Sequence, residues 1–105
     1  MKKISFSYNW NNKLNCNCFT TFRVKSEKYN IGETYEIYLN NVFISNAKII
    51  DIKTLKLKDV NEWIARLDSG YSQFEFDKLV RTMYKNKFQN IDDVDFVLLL
   101  LEKIN

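Results

Sequence analysis

The sequence has no histidine and no proline, and it contains only two glycines and two cysteines. So little glycine and no proline argue against a low-complexity or collagen-like chain. Cys16 and Cys18 are too few for a disulfide framework, and without histidine they do not supply the four nitrogen or sulfur ligands that a zinc site usually requires. We therefore expect free thiols, no bound metal and no cofactor.

A long apolar run is also missing, because no segment approaches the roughly 18 consecutive apolar residues of a membrane-spanning helix. The start Met1-Lys2-Lys3 is basic but lacks the apolar stretch of a signal peptide, so we expect a cytoplasmic protein without membrane contact. The 105 residues are 46% hydrophobic and 15% aromatic, which is typical of one folded domain over 1–105. A formal net charge of +3 permits a polyanionic partner without requiring one.

The order of apolar and polar residues predicts several strands. Ile4, Phe6 and Tyr8 alternate with serines, which is the period of a half-buried strand. Asn40-Asn41 marks a turn. The apolar run Val94–Leu101 is predicted to be a central strand buried on both sides, with a short helix as the alternative. The other predicted strands are Cys18–Val24, Thr34–Leu39 and one long or broken strand made of Val42–Ile44 and Ala47–Leu57.

Two helices are predicted between the long strand and the last one. The first begins at Asp59 and ends at Asp68-Ser69-Gly70, and its predicted buried face consists of Val60, Trp63, Ile64 and Leu67. Ser72 opens the second helix with a capping box to Glu75. The predicted buried stripe of this helix is Phe76, Leu79, Val80 and Met83. Its basic face consists of Lys78, Arg81 and Lys85, and the hypothesis for this face is that it extends an RNA path beyond the cleft.

Strands, then helices, then a closing strand predict an α+β domain whose sheet is curled or barrel-like rather than doubly wound. One core is expected beneath this curved sheet. Its predicted members are Ile4, Phe22, Ile37, Ile50, Trp63, Leu79, Val97 and Leu99.

The segment Phe19-Thr20-Thr21-Phe22-Arg23 carries the most reactive chemistry in the chain. In a strand, Thr21 and Arg23 share one face while Thr20 and Phe22 share the other. A hydroxyl beside a guanidinium, which offers a planar fork of donors, suits a phosphate, a carboxylate or a nucleobase carbonyl. The alternative is an ordinary strand whose arginine pairs with a neighbouring carboxylate.

Several of these pieces together resemble the ASCH domain, a branch of the PUA-like superfamily. The resemblance covers nearly the whole chain, and its most specific part is the Thr-x-Arg strand followed by the turn Ile31-Gly32-Glu33. The other matching pieces are Tyr35-Glu36-Ile37, Ala47-Lys48-Ile49, Ala65-Arg66-Leu67-Asp68 with Gly70-Tyr71, and Met83-Tyr84. The resemblance implies a small β-barrel with flanking helices and a cleft beside the Thr-x-Arg strand that binds RNA or a nucleoside.

One enzyme group similar to this family removes the acetyl group of N4-acetylcytidine with a lysine, a threonine and a carboxylate. On that pattern the threonine falls on Thr21 and the lysine position falls on Cys18. The carboxylate falls near Asp68, with Glu75 as the alternative. A cysteine nucleophile needs a general base, and the chain has no histidine to act as one.

Two functions follow as hypotheses. The first is binding of RNA, a nucleotide or a nucleoside, with stacking on aromatic rings in loops; its predicted ligand-binding residues are Trp10, Thr20, Thr21, Arg23, Asp68 and Tyr71. The second is a small hydrolase, similar to the N4-acetylcytidine amidohydrolases or acting as a ribonuclease, with Thr21 and Asp68 as catalytic residues. Cys18 at the lysine position favours binding. A third reading, a scaffold for protein interaction, stays open because fold does not fix function.

Overall fold

Five strands form one mixed sheet in the computed structural model, which describes residues 2–104. The strands are β1 (Lys3–Phe6), β2 (Cys18–Val24), β3 (Thr34–Leu39), β4 (Val42–Leu55) and β5 (Phe96–Lys103). Their order in the sheet is β1-β3-β4-β5-β2. Only β1 and β3 are parallel, and the other neighbouring pairs are antiparallel. The predicted α+β class and curled sheet are confirmed, since the sheet forms a half-barrel.

The long strand β4 joins the two halves of the sheet. Its first half pairs with β3 and its second half pairs with β5. Register irregularities interrupt both ladders, one at Ile37/Tyr38 and one at Ile49/Asp51. Irregularities of this kind bend a strand and increase its twist, so the two edge strands, β1 and β2, are brought towards each other.

The edges of β1 and β2 meet along a line that we call the seam. Across it, Arg23 Nη2 donates to the backbone oxygen of Ser5 at 2.8 Å. The rings of Phe6 and Phe19 lie edge to face, with centroids 6.3 Å apart. The seam is therefore closed by side chains and not by a backbone ladder.

The inner face of the half-barrel holds the main core. Alternate residues of β5, Val97, Leu99 and Leu101, point into it. Its other buried members are Ile4, Phe6, Leu14, Phe19, Tyr35, Ile37, Ala47 and Ile49. The outer face packs against the helices through a second cluster around Phe96 and Phe76. The predicted core is right at four positions, Ile4, Ile37, Val97 and Leu99. Phe22 and Leu79 are only half-buried, and Phe22 packs against the second cluster.

Two α-helices follow β4, and their ends match the sequence signals. Helix α1 spans Glu62–Ser69 and ends at Gly70, whose φ of 82° is a left-handed conformation that suits glycine. Helix α2 spans Gln73–Met83 and begins with the predicted capping box of Ser72 and Glu75. Short 3₁₀ segments occur at Trp10–Asn15, Leu57–Asp59 and Ile91–Asp93.

The predicted buried face of α1 is half right, because Val60 is buried and Ile64 is half-buried against the second cluster, whereas the other two residues face solvent. Trp63 and Leu67 are 78% and 66% exposed, and the helix buries Ala65, Asp68 and Ser69 instead. The helix is rotated because Asp68 is held by an ion pair on the side of the sheet, and hydrophobic periodicity carries no information about such a pair. Three smaller corrections are that Tyr8, Ile50 and Met83 are exposed.

The strand ends also differ slightly from the prediction. β1 stops at Phe6, β4 runs without a break from Val42 to Leu55, and β5 begins at Phe96. Leu98 and Leu100 are half-buried, so β5 is fully buried on one face only. The Asn40-Asn41 turn is confirmed, and both residues have the positive φ of a two-residue hairpin turn.

Candidate ligand-binding cleft

A cleft opens beside the seam, where β1, β2 and the loop after β1 face α1 and α2. Residues from all of these elements line it. Its polar side chains are Ser5, Ser7, Lys13, Thr21, Arg23, Asp68, Ser69 and Tyr84. Its apolar walls are Phe6, Trp10, Phe22, Phe76, Leu79, Val80 and Met83. We call this feature the seam cleft.

Arg23 and Thr21 lie side by side in the seam cleft, as the strand pattern predicts. Arg23 Nε donates to Thr21 Oγ1 at 3.0 Å, and the guanidinium carbon lies 4.8 Å from the centroid of the Phe6 ring. Since Nη2 bonds to Ser5 across the seam, two of the three guanidinium nitrogens already have partners. Within residues 2–104, three of the five N–H donors of Arg23, two on Nη1 and one on Nη2, have no acceptor and can meet a ligand. Arg23 pairs with no carboxylate of the described chain, which argues against the plain ion-pair alternative.

A buried ion pair forms the second polar centre. Lys13 Nζ lies 3.0 Å from Asp68 Oδ1, and the two side chains are only 7% and 8% exposed. The hydroxyl of Thr20 donates to the same oxygen at 2.8 Å. Burial lowers the pKa of Lys13 below its usual value, and the attraction of Asp68 opposes this only in part. In the described part of the chain, no group donates to Asp68 Oδ2.

The apolar walls enclose a space of about 130 Å³. This is slightly less than the roughly 150 Å³ of a closed cavity that binds benzene, and because the cleft is open to solvent on one side, a flat ring can enter it in part. Phe22 packs edge to face on Phe76 at 5.3 Å and stacks on Phe96 at 4.6 Å, which fixes the wall next to Arg23. Tyr84 adds a hydroxyl, and burial raises the pKa of this phenol so that it stays a hydrogen-bond donor.

The predicted site residues divide into two groups. Trp10, Thr21, Arg23 and Asp68 line the seam cleft, as predicted. Thr20 points to the other side of β2 and reaches the site only through Asp68. Tyr71 supports Trp10 from behind, with ring centroids 5.7 Å apart, and is not part of the lining.

The alternative site residues lie elsewhere. Cys18 is exposed, with its sulfur 4.0 Å from Glu102 Oε2, so it is neither a buried small residue nor part of the cleft. Glu75 is exposed and caps α2 through Ser72. Asp68 is therefore the only one of the two proposed carboxylates that reaches the cleft.

The basic face of α2 carries less free charge than the sequence suggests. Arg81 bonds to Asp77 at 2.8 Å and to Asp92 at 2.7 Å. Lys78 lies 5.4 Å from the centroid of the Phe74 ring. All three predicted residues, Lys78, Arg81 and Lys85, are exposed, but Arg81 holds α2 to the segment before β5.

Lys13, the most deeply buried cation of the site, is not among the residues predicted from the sequence. It lies in an asparagine-rich loop with no periodicity, and Asn11 and Asn12 take positive φ values just before it. These values turn the chain so that Leu14 enters the core and Lys13 meets Asp68, which is 55 positions away. A sequence signal for this contact is hard to find, because only the fold brings the two residues together.

No protein-family model, curated protein or solved structure matches this chain. Across residues 2–104, no helix has the length and apolar character needed to cross a membrane. The same part of the chain contains no group of three or more cysteine, aspartate or glutamate side chains placed to hold a metal ion.

Proposed function

We propose that the seam cleft binds a nucleobase, presented as a nucleoside, a nucleotide or a short RNA segment. One observation carries this proposal. A small apolar space lies beside hydrogen-bond donors and an acceptor that have no partner within residues 2–104. The edge of a base combines donors and acceptors around a flat ring, and single-stranded RNA is commonly recognised by stacking together with contacts to these edges.

The polar groups of the cleft suit such an edge. Arg23 Nη1 and the remaining protons of Lys13 are donors, Asp68 Oδ2 is an acceptor, and the hydroxyl of Tyr84 serves as a donor. A purely apolar or purely cationic cleft would suit a lipid or a simple anion better. The resemblance to the ASCH domain supports the same proposal, since it implies a base-binding cleft beside the Thr-x-Arg strand.

We place the ligand in the seam cleft and do not extend the site along the basic face of α2. Arg81 is already paired with two carboxylates, so within residues 2–104 only Lys78 and Lys85 of this face would be free to meet a phosphate backbone. Ligand affinity should then depend only weakly on salt. A steep salt dependence that disappears when Lys78, Arg81 and Lys85 are changed to Gln would favour the longer path.

Fluorescence of Trp10 provides the test. Trp10 lines the cleft, whereas the other tryptophan, Trp63, is 78% exposed on α1. In a Trp63→Phe background, titration with single nucleosides, nucleotides and short RNAs should change the Trp10 emission for at least one of them. Arg23→Lys should weaken that affinity by about 1 to 3 kcal/mol, whereas Arg66→Lys on the surface of α1 should not change it. Silence of Trp10 with every compound would contradict the proposal.

A second candidate function, a small hydrolase, is favoured by one specific observation. Lys13, Thr20 and Asp68 meet within hydrogen-bond distance, and they are the residue types that the N4-acetylcytidine amidohydrolase resemblance implies. Lys13 would replace the lysine that the sequence pattern places at Cys18, and Thr20 would replace the threonine that it places at Thr21. Its lowered pKa makes the neutral amine, which can take up a proton, more accessible.

A product assay separates the two candidates. Any compound that changes the Trp10 emission, acetylated cytidine and RNA among them, is incubated with the protein and its products are analysed. A hydrolase requires turnover that falls on the order of 100-fold or more in Asp68→Asn while binding persists. Tight binding without a product leaves binding as the function.

A further inference from the structure

One half of β4 leaves a sheet edge open. β3 covers one side of β4 from Val42 to Lys48, whereas β5 covers the other side only from Ala47 onwards. The last backbone contact on the β5 side is Ile104 N to Asn46 O at 3.0 Å. Along Val42–Ser45 the β5 side therefore has no strand beside it in residues 2–104.

The backbone of Phe43 points out of this open edge. The N–H groups of Glu36 on β3 and of Asn40 just after it donate to the β1 side, and alternation gives Tyr38 the same direction. Tyr38 is the cross-strand partner of Phe43, so the two form a non-hydrogen-bonded pair. The N–H and C=O of Phe43 must then face away from β3, towards solvent.

The open edge is apolar and uncharged. Val42 and Phe43 are 61% and 49% exposed, and Ile44 is also exposed. No charged residue occurs from Ile37 to Ala47. Exposed edges are usually protected by charges or cover, and the opposite half-edge of β4 does carry Asp51 and Lys53. The seam edges of β1 and β2 are covered by Arg23.

The segment is also complementary to itself. Asn40–Asn46 reads Asn-Asn-Val-Phe-Ile-Ser-Asn, with three apolar residues between two polar pairs. In an antiparallel pairing centred on Phe43, each Val42 faces an Ile44 and the asparagines face polar residues. Two copies related by a two-fold axis would thus match apolar with apolar at every central position and bring no like charges together.

We propose that the Val42–Ile44 edge joins two copies of this chain in an antiparallel pair, so that the two sheets become continuous. Phe43 of each copy exchanges both of its backbone hydrogen bonds with Phe43 of the other. Ile44 is the residue without a partner on β3, so the bulge lies at this end of the edge, and together with the end of β5 it limits the pairing to a few residues. So short a pairing buries little surface, and interfaces of small area are typical of weak association. We therefore expect a reversible dimer that forms as the protein concentration rises.

Charge complementation at Phe43 tests the dimer. Sedimentation equilibrium over a series of protein concentrations should show a monomer–dimer equilibrium for the wild type. Phe43→Lys and Phe43→Glu each place like charges opposite each other, so each alone should dimerise about tenfold more weakly or worse. An equal mixture of the two should recover a heterodimer. Trp63→Lys, which changes an exposed ring on α1, is the matched control and should dimerise like the wild type.

Cross-linking tests the register without relying on those charged variants. In a Cys16→Ser, Cys18→Ser background, Phe43→Cys should form an intermolecular disulfide on mild oxidation, since directly opposed residues are about 5.5 Å apart between Cα atoms. Val42→Cys should not, because its copies are offset along the strand. A wild type that stays monomeric at every concentration, or a dimer that Phe43→Lys leaves intact, overturns the proposal.

Discussion

Removal of either partner of the Lys13–Asp68 pair should destabilise the fold strongly. Both side chains are at least nine-tenths buried and their charged atoms lie 3.0 Å apart. Taking one charge away leaves the other buried without a counter-ion, which typically costs about 3 to 5 kcal/mol. Lys13→Met and Asp68→Asn are the two single variants, and urea unfolding followed by circular dichroism gives their free energies of unfolding.

The expected loss of stability depends on how deeply the ion pair is buried. A second, exposed ion pair of the chain serves as the matched control. Lys56 and Asp95 form an ion pair at 2.7 Å whose side chains are 36% and 53% exposed. Because water screens this pair, Asp95→Asn should cost less than about 1 kcal/mol. The double variant Lys13→Met, Asp68→Leu, which removes both buried charges, should recover most of the loss seen in either single variant.

The pH dependence of the free energy of unfolding is a second test of the buried ion pair. In Asp68→Asn, burial still lowers the pKa of Lys13 while the opposing attraction of Asp68 is gone. The folded state then releases the proton below the usual pKa of 10.5, and the unfolded state keeps it until that value. Between the two pKa values the unfolded state binds more protons, so stability rises with pH.

We therefore expect the deficit of Asp68→Asn to shrink as the pH is raised from 7 towards 10.5, and Lys13→Met to show no such recovery. Two results would contradict the role given to burial. One is a loss of stability in Lys13→Met no larger than that in Asp95→Asn. The other is a loss of stability in Asp68→Asn that is the same at both ends of this pH range.

Three further predictions concern stability and are checked by urea unfolding. Leu99→Ala should cost about 2 to 5 kcal/mol because Leu99 is fully buried in the half-barrel, whereas Met83→Ala, at a 56% exposed position, should cost less than about 1 kcal/mol. Gly70→Ala should cost at least about 1 to 2 kcal/mol, more than Gly32→Ala: both have positive φ, but only at Gly70 would a Cβ come within 3.3 Å of another side chain. Ser72→Ala should cost about 1 kcal/mol by removing the α2 cap.

The sequence predicts the strands and helix ends well because their signals are local. β2 and β3 have the predicted bounds, the Asn40-Asn41 turn and the Ser72 cap are present, and Gly70 ends α1. Each of these signals depends on residues a few positions apart. Thr21 and Arg23 share a face for the same reason, since alternation along a strand is a local property.

The errors fall where a distant contact decides the outcome. Trp63 and Leu67 form a good helical stripe, yet they face solvent because Asp68 turns the opposite side of α1 towards Lys13. The burial of Lys13 itself depends on two asparagines with positive φ and on a partner far along the chain. No hydrophobic pattern encodes an ion pair of this kind, so the sequence alone does not predict that Lys13 belongs to the seam cleft.

Under the proposed function, Arg23 would connect the stability of the half-barrel with ligand binding. Nε and Nη2 bond to Thr21 and Ser5, and within residues 2–104 the two N–H groups of Nη1 and the second N–H of Nη2 have no acceptor. A ligand that binds only the folded state stabilises it by mass action, so compounds that change the Trp10 emission should also raise the Tm. In Arg23→Lys we expect a lower Tm without ligand, because the seam bond to Ser5 is lost, and a smaller ligand-induced increase. An unchanged increase in Arg23→Lys would show that the ligand binds away from the guanidinium, and the seam would then have a structural role alone.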